Sequence, residues 1–307
     1  MLVVFWNNGQ LGNRLFYFSH FVAFATETKS KLLCMFFSRN AKHYADPFEG
    51  SAKNLIGYYP KPILHSGTFI YRATDWLLYK LFLISKKYNF NNKIISIYTP
   101  PIEGKEDSQS YSVQDFISNP TRKKSLITFY NSYIFWHDNT NLAKYHTQIT
   151  AYFKPIEPHW SNIKNFSKSL RIEFPDSLIV GVHIRRGDYK DWAGGMWYFE
   201  DDAFAQHLRN IEKEYSPKKT VFVICSNEDV NFENYQNLEL LKSTGHIIED
   251  MYILAECDYI VGPHSTYSMW ASFYGQKPLY KMRKDKSDFS LSDFSICNGR
   301  FYEPSNN

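Results

Sequence analysis

Two adjacent arginines, Arg185 and Arg186, are the side chains of this sequence best suited to binding a multivalent anion. They lie in the segment HIRRGDY, which follows the apolar run SLIVGV directly and begins at His183. A guanidinium group forms paired, planar hydrogen bonds with phosphate oxygens. Both arginines can reach one ligand only if the chain turns there, and Gly187 permits that turn. The segment therefore predicts a diphosphate site, and the alternative is an ion pair with Asp188 or Asp191 inside the loop.

A second candidate anion site is the segment GPHSTYSMW, residues 262–270. Pro263 ends the preceding apolar run, and Ser265 or Thr266 can cap the helix that follows. Free backbone N–H groups and the helix dipole attract anions to such a position. An ordinary helix cap is the alternative, and the neighbouring pair of arginines shifts the balance towards a ligand.

A third candidate is the segment NNGQLGNR, residues 7–14, in which Gly9 and Gly12 separate an apolar run from a helical pattern. The segment differs from the dinucleotide-binding fingerprint, and it lacks the Lys-Ser/Thr pair of a phosphate-binding P-loop. A tight turn without a ligand is the alternative. No D-x-D triplet occurs and the histidines show no close metal-ligand spacing, so we expect neither a metal nor another cofactor.

The elements that must position these segments alternate between strands and helices. Residues 2–6 and 31–37 predict strands on either side of a helix, and helices are also expected at 139–153 and 159–170. Later strands are predicted at 177–184, 220–225, 246–248, 258–262 and 278–282, with helices at 200–215, 231–242, 249–257 and 265–275. Their apolar runs are typical of a buried parallel sheet. The pattern predicts an α/β chain, doubly wound after a boundary near residue 155.

Composition narrows the class of protein further. The 307 residues include 35 Lys and Arg against 31 Asp and Glu, and a net charge of +4 does not favour a nucleic-acid binder. The four cysteines form no C-x-x-C pair, and Cys225 and Cys257 lie in apolar stretches typical of a core. Residues 76–84, WLLYKLFLI, predict a buried or half-buried helix, with a membrane-surface helix as the alternative. We expect a cytoplasmic protein. If residues 76–84 form a membrane-surface helix, we also expect peripheral membrane contact.

Three segments together resemble family 11 glycosyltransferases, the GDP-fucose-dependent α-1,2-fucosyltransferases. They are GQLGNRLF, HIRRGDY and EDMYILAECDYIVGPHSTYSMW, in the order expected for the family. The HxRRxD loop is also similar to that of α-1,6 and protein O-fucosyltransferases. The resemblance implies a GT-B-like fold, in which two Rossmann-type halves enclose the active site in the cleft between them. Residues 1–155 would be the acceptor-side half and residues 156–307 the half that binds the nucleotide sugar.

The resemblance implies an inverting, metal-independent reaction. A glycan hydroxyl, the galactose 2-OH in α-1,2 enzymes, would attack GDP-β-L-fucose from the face opposite the nucleotide. The arginines would stabilise the charge that grows on the departing diphosphate. Transfer of another GDP-sugar, an α-1,6 or O-fucosyl linkage, and a non-catalytic glycan- or nucleotide-binding protein are the alternatives. The expected setting is the biosynthesis of a surface polysaccharide.

The family's contacts carry over to a defined set of positions. The residues expected to contact the diphosphate, its surroundings or the fucose are His183, Arg185, Arg186, Ser265, Thr266, Gly9, Gly12 and Asn13. Two departures from the family pattern bear on the donor. His264, which stands where the family usually has an Asn, is expected to bind the substrate from that position. Glu228 or Asp229 would replace the acid that relatives place on the guanine ring.

The general base and the acceptor contacts are less defined by the sequence. We rank Asp191 above Asp188 as the base, because Asp188 is better placed to orient an arginine. A reaction led by leaving-group departure, with no dedicated base, is the alternative. Trp192, Trp197 and Tyr198 form a candidate lip for the acceptor, and a simple loop is the alternative.

Overall fold

The computed structural model describes residues 2–4, 9–30, 32–34, 40, 43–44, 69–88, 95–98, 125–130, 140–284 and 290–298. The chain divides into two compact units, Met1–Pro155 with Asn298–Asn307, and Ile156–Cys297. Each unit contains a sheet in which parallel pairing dominates. The α/β class predicted from the sequence is therefore confirmed.

The first unit has a four-stranded parallel sheet in the order β2-β1-β4-β3. Its elements are β1 (Leu2–Val4), α1 (Leu11–Thr28), β2 (Leu32–Cys34), α2 (Phe69–Tyr88), β3 (Ile95–Tyr98), β4 (Ile127–Tyr130), α3 (Thr140–Lys144) and α4 (His146–Tyr152). Helix α1 is buried along most of its length, because apolar side chains occupy nearly every side of it. It forms the centre of this unit's core.

Helix α2 is covered on one face only, which fits the half-buried helix among the sequence predictions. Phe82 is buried and packs with Phe129 of strand β4. Ile95 and Ile97 of strand β3 pack against the same cluster. The side chains of Trp76, Leu77 and Tyr79 are instead 61%, 54% and 51% exposed. Two strands of four residues cover only one face of a helix, so the other apolar face stays uncovered. Among the described residues, no helix is both long enough and apolar enough to span a bilayer.

The second unit has a six-stranded sheet in the order β10-β9-β8-β5-β6-β7. Its elements are α5 (His159–Glu173), β5 (Leu178–Ile184), α6 (Asp201–Tyr215), β6 (Thr220–Ser226), β7 (Glu239–Lys242), α7 (Ile247–Glu256), β8 (Tyr259–Gly262), α8 (Thr266–Gly275), β9 (Pro278–Lys281) and β10 (Ser295–Ile296). Only the β9–β10 pair is antiparallel. Every residue of β5 is buried, and the free thiols of Cys225 and Cys257 are buried as predicted.

Two sequence predictions in this unit are wrong. The helix expected at 231–242 is a short 3-10 turn, Phe232–Tyr235, followed by strand β7, which pairs with β6. Sheet pairing here overrides the helical preference of the Leu-rich segment. The strand expected at 246–248 is the start of α7, because the His246 ring accepts a hydrogen bond from the Ile248 N–H at 3.2 Å and caps the helix.

The order of the strands reverses between β5 and β8. From β5 the chain continues to β6 and β7 on one side, and β8 and β9 are then added on the other side. The carboxyl ends of strands at such a switch point are where open α/β sheets bind ligands. The two strand ends lie unusually close, since a Cβ on Gly262 would lie 2.9 Å from the His183 carbonyl oxygen. Glycine is therefore needed at this position.

Candidate functional site

Segments from three strands converge at this edge of the second unit. The Arg186 N–H donates to Asn227 Oδ1 at 2.9 Å and so joins the loop after β5 to the end of β6. The Tyr189 hydroxyl donates to the His264 carbonyl oxygen at 3.0 Å and joins the same loop to the end of β8. The HIRRGDY and GPHSTYSMW segments, predicted separately from the sequence, thus form one site.

Arg185 lies on the accessible side of the loop after β5. Its Nη2 donates to the Asp188 carboxylate, and its guanidinium lies 5.3 Å from the centre of the Tyr189 ring. The side chain of Asp188 is 54% exposed. Ion pairs at the surface contribute only about 0–1 kcal/mol, so a phosphate can replace Asp188 at little cost. The ion pair that the sequence allowed is present, and it is compatible with a ligand.

Arg186 lies on the opposite, buried side of the same loop. Its Nη2 donates to Asp201 Oδ1 at 2.5 Å, and the residue is 8% exposed. Burial on its own would lower the pKa of Arg186, but the Asp201 carboxylate outweighs it and the pKa is raised. Its Nε is buried and has no hydrogen-bond partner among the described residues. Arg186 is therefore a charged residue of the core, and a contact between Arg186 and a ligand stays a prediction.

Asp201, which sequence reasoning missed, is the centre of this buried cluster. Besides Arg186 it accepts hydrogen bonds from the Tyr235 hydroxyl at 2.8 Å and from the Asn231 N–H at 3.4 Å. Burial, followed by the hydrogen bond to Asp201, raises the pKa of the Tyr235 hydroxyl. A signal was available in the sequence. Asp201 is spaced three and four residues from Phe204 and Ala205, which places it on the buried face of α6.

His183 is buried at the end of β5. Its ring packs against that of Tyr267 with 4.7 Å between the centroids, and its Nδ1 has no partner within the described part of the chain. Burial, followed by the nearby Arg185 charge, lowers its pKa to about 3. The imidazole is neutral at pH 7, so His183 can donate or accept a hydrogen bond at this site but cannot supply a positive charge.

Helix α8 starts with a hydrogen-bonded cap. The Ser265 hydroxyl accepts from the Tyr267 N–H at 3.3 Å, and Thr266 is the first helical residue. The ordinary helix cap, which was the alternative for this segment, is thus present. It uses one of the first N–H groups and leaves the helix dipole directed at the end of β8. A phosphate contact by Ser265 or Thr266 stays a prediction.

Four carboxylates predicted for the site lie at the surface of this edge. Asp188 pairs with Arg185, whereas Asp191, Glu228 and Asp229 are exposed. A Cβ on Gly187, whose φ is +63°, would lie 3.3 Å from Glu228 Oε1, so Glu228 lies beside the turn that follows the arginines. The assignments of a general base and of a guanine contact stay predictions.

The glycine segment before α1 belongs to the first unit. Gly9 has a φ of +76°, and its carbonyl oxygen accepts from Arg14 Nε at 3.0 Å. Gly12 is buried in the first turn of α1, and Asn13 is half-buried there. A Cβ on Gly9 would lie 2.1 Å from Asn13 Nδ2. The described residues 9–14 form a bend at Gly9 and the start of α1, and residues 7 and 8 lie outside the described part of the chain. Contact of Gly9, Gly12 or Asn13 with a ligand stays a prediction.

The second unit lies almost entirely within a region shared with a known protein family. A family model described as Glycosyl transferase family 11 matches residues 63–293, well over half of the chain. The match includes HIRRGDY and GPHSTYSMW and begins after the Gly9–Arg14 segment. No curated protein sequence is similar enough to count as a match.

Solved structures of two fucosyltransferases share the fold. A mutant of Arabidopsis thaliana FUT1 in complex with GDP is 12% identical with a TM-score of 0.53, covering 95% of this chain and 73% of that one. POFUT1 in complex with GDP-fucose is 11% identical with a TM-score of 0.50, covering 90% and 95%. The α/β architecture therefore matches the GT-B-like fold of these structures.

Proposed function

Because this chain belongs to glycosyl transferase family 11, we propose that it transfers L-fucose from GDP-β-L-fucose to a glycan hydroxyl. The donor is proposed because both similar structures named above are fucosyltransferases, one carrying GDP and the other GDP-fucose. The observation that carries the proposal is the position of Arg185. It follows β5 at the switch point and pairs with the exposed Asp188. Its guanidinium also contacts Tyr189, whose hydroxyl donates to the carbonyl of His264 just before α8.

Arg185 supplies the positive charge that the departing diphosphate needs. As the bond from the anomeric carbon to the diphosphate breaks, negative charge grows on the phosphate oxygens. A guanidinium fixed at that place stabilises the transition state more than the ground state. The first N–H groups of α8 add a second, weaker attraction from the helix dipole.

Arg186 acts on the reaction indirectly, by orienting its neighbour. Arg186 is buried just after β5, whereas Arg185 beside it pairs with the exposed carboxylate of Asp188. The ion pair with Asp201 and the bond to Asn227 hold Arg186 on the buried side. They thereby direct Arg185 to the accessible side.

The same proposal covers the stereochemistry of the reaction, its general base, the guanine contact and the acceptor. The acceptor hydroxyl attacks opposite the diphosphate and inverts the anomeric centre, without a metal ion. Exposed Asp191 takes the hydroxyl proton, while Asp188 orients Arg185 until the donor binds. Glu228 or Asp229 contacts the guanine, and the acceptor is a terminal galactose that receives an α-1,2 linkage.

A nucleotide screen tests the donor class. Thermal unfolding is recorded with GDP, UDP, ADP and CMP at equal concentrations, and we expect stabilisation by GDP alone. Stabilisation by UDP alone would overturn the proposal. A transfer assay with GDP-fucose and a panel of galactose-terminated glycans then tests the reaction, and the anomeric configuration of the product tests inversion. GDP binding without any transfer would favour the non-catalytic alternative.

A further inference from the structure

Four rings form a continuous series beside the candidate site, and we name Tyr189, Trp192, Trp197 and His264 the aromatic ladder. The centroids of successive rings are 5.4, 4.7 and 5.2 Å apart. The planes of neighbouring rings are inclined by only 26–35°. The ladder therefore runs from the loop after β5 to the residue that precedes the Ser265 cap of α8.

Trp192 is the most exposed member of the ladder. Its side chain is 49% exposed, whereas Tyr189, Trp197 and His264 are half-buried. An indole ring left half in water loses part of the hydrophobic free energy that burial would provide. Large exposed aromatic rings near a polar cluster are typical of ligand-binding surfaces.

The loop that carries Trp192 is held in one conformation. The Tyr189 hydroxyl bonds to the His264 carbonyl, and Lys284 Nζ donates to the Gly195 carbonyl at 2.8 Å. Gly195 has a φ of +70°, and a Cβ there would lie 2.9 Å from the Lys190 carbonyl oxygen. These contacts hold the loop on both sides of Trp192, and an ordered loop lowers the entropy cost of binding.

The aromatic ladder lies next to Arg185, the proposed diphosphate contact, but away from the predicted guanine contacts. Tyr189, its first ring, also contacts the Arg185 guanidinium at 5.3 Å. Its last ring, His264, follows β8, whereas Glu228 and Asp229 follow β6 on the other flank of β5. A ligand on Trp192 would therefore lie beside the departing diphosphate, on the side away from the guanine.

We propose that Trp192 is the platform on which a pyranose ring of the glycan acceptor stacks. The proposal rests on the proposed fucosyl transfer and names the acceptor contact of that site. One face of a pyranose such as galactose presents C–H groups, which pack on an indole, while its hydroxyls stay directed at the polar side of the site. Stacking on Trp192 would hold the attacking hydroxyl near Arg185.

The test is a comparison of acceptor and donor kinetics in the full-length Trp192→Ala and Trp192→Phe variants. The acceptor is whichever galactose-terminated glycan the wild-type protein uses best. We expect the acceptor KM to rise about tenfold in Trp192→Ala and less in Trp192→Phe, which keeps an aromatic ring. The donor KM, the GDP affinity and the hydrolysis of GDP-fucose without acceptor should not change.

Met196→Ala is the matched control. Met196 lies in the same loop and is 57% exposed, but it is not part of the ladder, so its variant should keep the wild-type acceptor KM. An unchanged acceptor KM in Trp192→Ala would refute stacking of the acceptor on Trp192 but would leave the proposed fucosyl transfer standing. A weaker GDP affinity in that variant would also refute the stacking, because the ring would then contact the nucleotide. A wild-type protein that binds no GDP or transfers to no glycan refutes both proposals.

Discussion

The two sides of the loop after β5 differ more than their adjacent arginines suggest. On one side Arg185 meets an exposed carboxylate, Asp188, and an aromatic ring. On the other side Arg186 meets a buried carboxylate, Asp201, which two further donors also contact. The same guanidinium chemistry therefore stabilises the fold on one side and is available to a ligand on the other.

The difference has a simple physical origin. A buried charge is strongly destabilising unless a partner and its hydrogen bonds compensate for the lost water. Asp201 provides that compensation for Arg186, and exposed Asp188 provides only a weak and replaceable pair for Arg185. Substitutions on the buried side should act on stability, and substitutions on the accessible side should act on the reaction.

The largest effect is expected for Asp201→Asn, which leaves the Arg186 guanidinium buried without a counter-charge. The free energy of unfolding should fall by about 3–5 kcal/mol, measured by urea denaturation. Glu239→Gln is the matched control, since it makes the same chemical change in the exposed pair with Lys219, where about 0–1 kcal/mol is expected. Equal losses in the two variants would contradict a buried, stabilising pair.

Arg185→Ala should lower the rate of transfer by about 10²–10³-fold, because the diphosphate loses a positioned donor. Arg185→Lys should not restore it, since an ammonium lacks the planar fork. The melting temperature should stay close to that of the wild type, because the ion pair that is lost lies at the surface. A lysine variant with nearly full activity would show that a point charge is sufficient.

His183 should make the stability of the protein depend on pH. Its folded-state pKa is about 3 against an ordinary value of 6.5, so the unfolded chain takes up a proton first as the pH falls. This contribution to stability is complete above pH 6.5 and is lost at about 1.4 kcal/mol per pH unit below it. His183→Asn removes the group, so its stability should fall less steeply between pH 6 and 4. Parallel curves for the two proteins would place His183 in contact with solvent.

The smallest effect is expected for Tyr235→Phe. It removes one hydrogen bond to Asp201 and leaves the ion pair with Arg186 intact. The free energy of unfolding should fall by about 1.5–3 kcal/mol, the contribution of a hydrogen bond to a charged group, with kcat unchanged. A large loss of kcat at unchanged stability would place the buried cluster in the reaction itself.

Elements with a buried, apolar pattern could be predicted from the sequence, and elements that depend on their neighbours could not. Strands β5, β6 and β8 follow from continuous apolar runs, because their burial on both faces excludes polar residues. Strand β7 lies at the sheet edge with a half-exposed pattern, and only its pairing with β6 makes it a strand. The exposed face of α2 depends on how little of it the sheet covers.

The candidate site shows the same division. The HIRRGDY and GPHSTYSMW segments could be found by their residue types, because anion-binding groups directly after an apolar run indicate the ligand-binding edge of an open α/β sheet. The sequence could not show which arginine faces inwards, because that depends on Asp201, 15 residues later in the chain. Spacing within α6 indicated a buried Asp201, but it did not identify the partner.

Calorimetric titration of GDP into the wild-type protein and into Arg185→Ala tests the central claim most directly. If Arg185 contacts the diphosphate, the variant should bind GDP at least about tenfold more weakly, the loss expected for one charge-assisted hydrogen bond. Its melting temperature without GDP should match that of the wild type. Equal GDP affinity in the two proteins would contradict a contact between Arg185 and the diphosphate. It would also contradict the proposal that Arg185 serves the reaction while Arg186 serves stability.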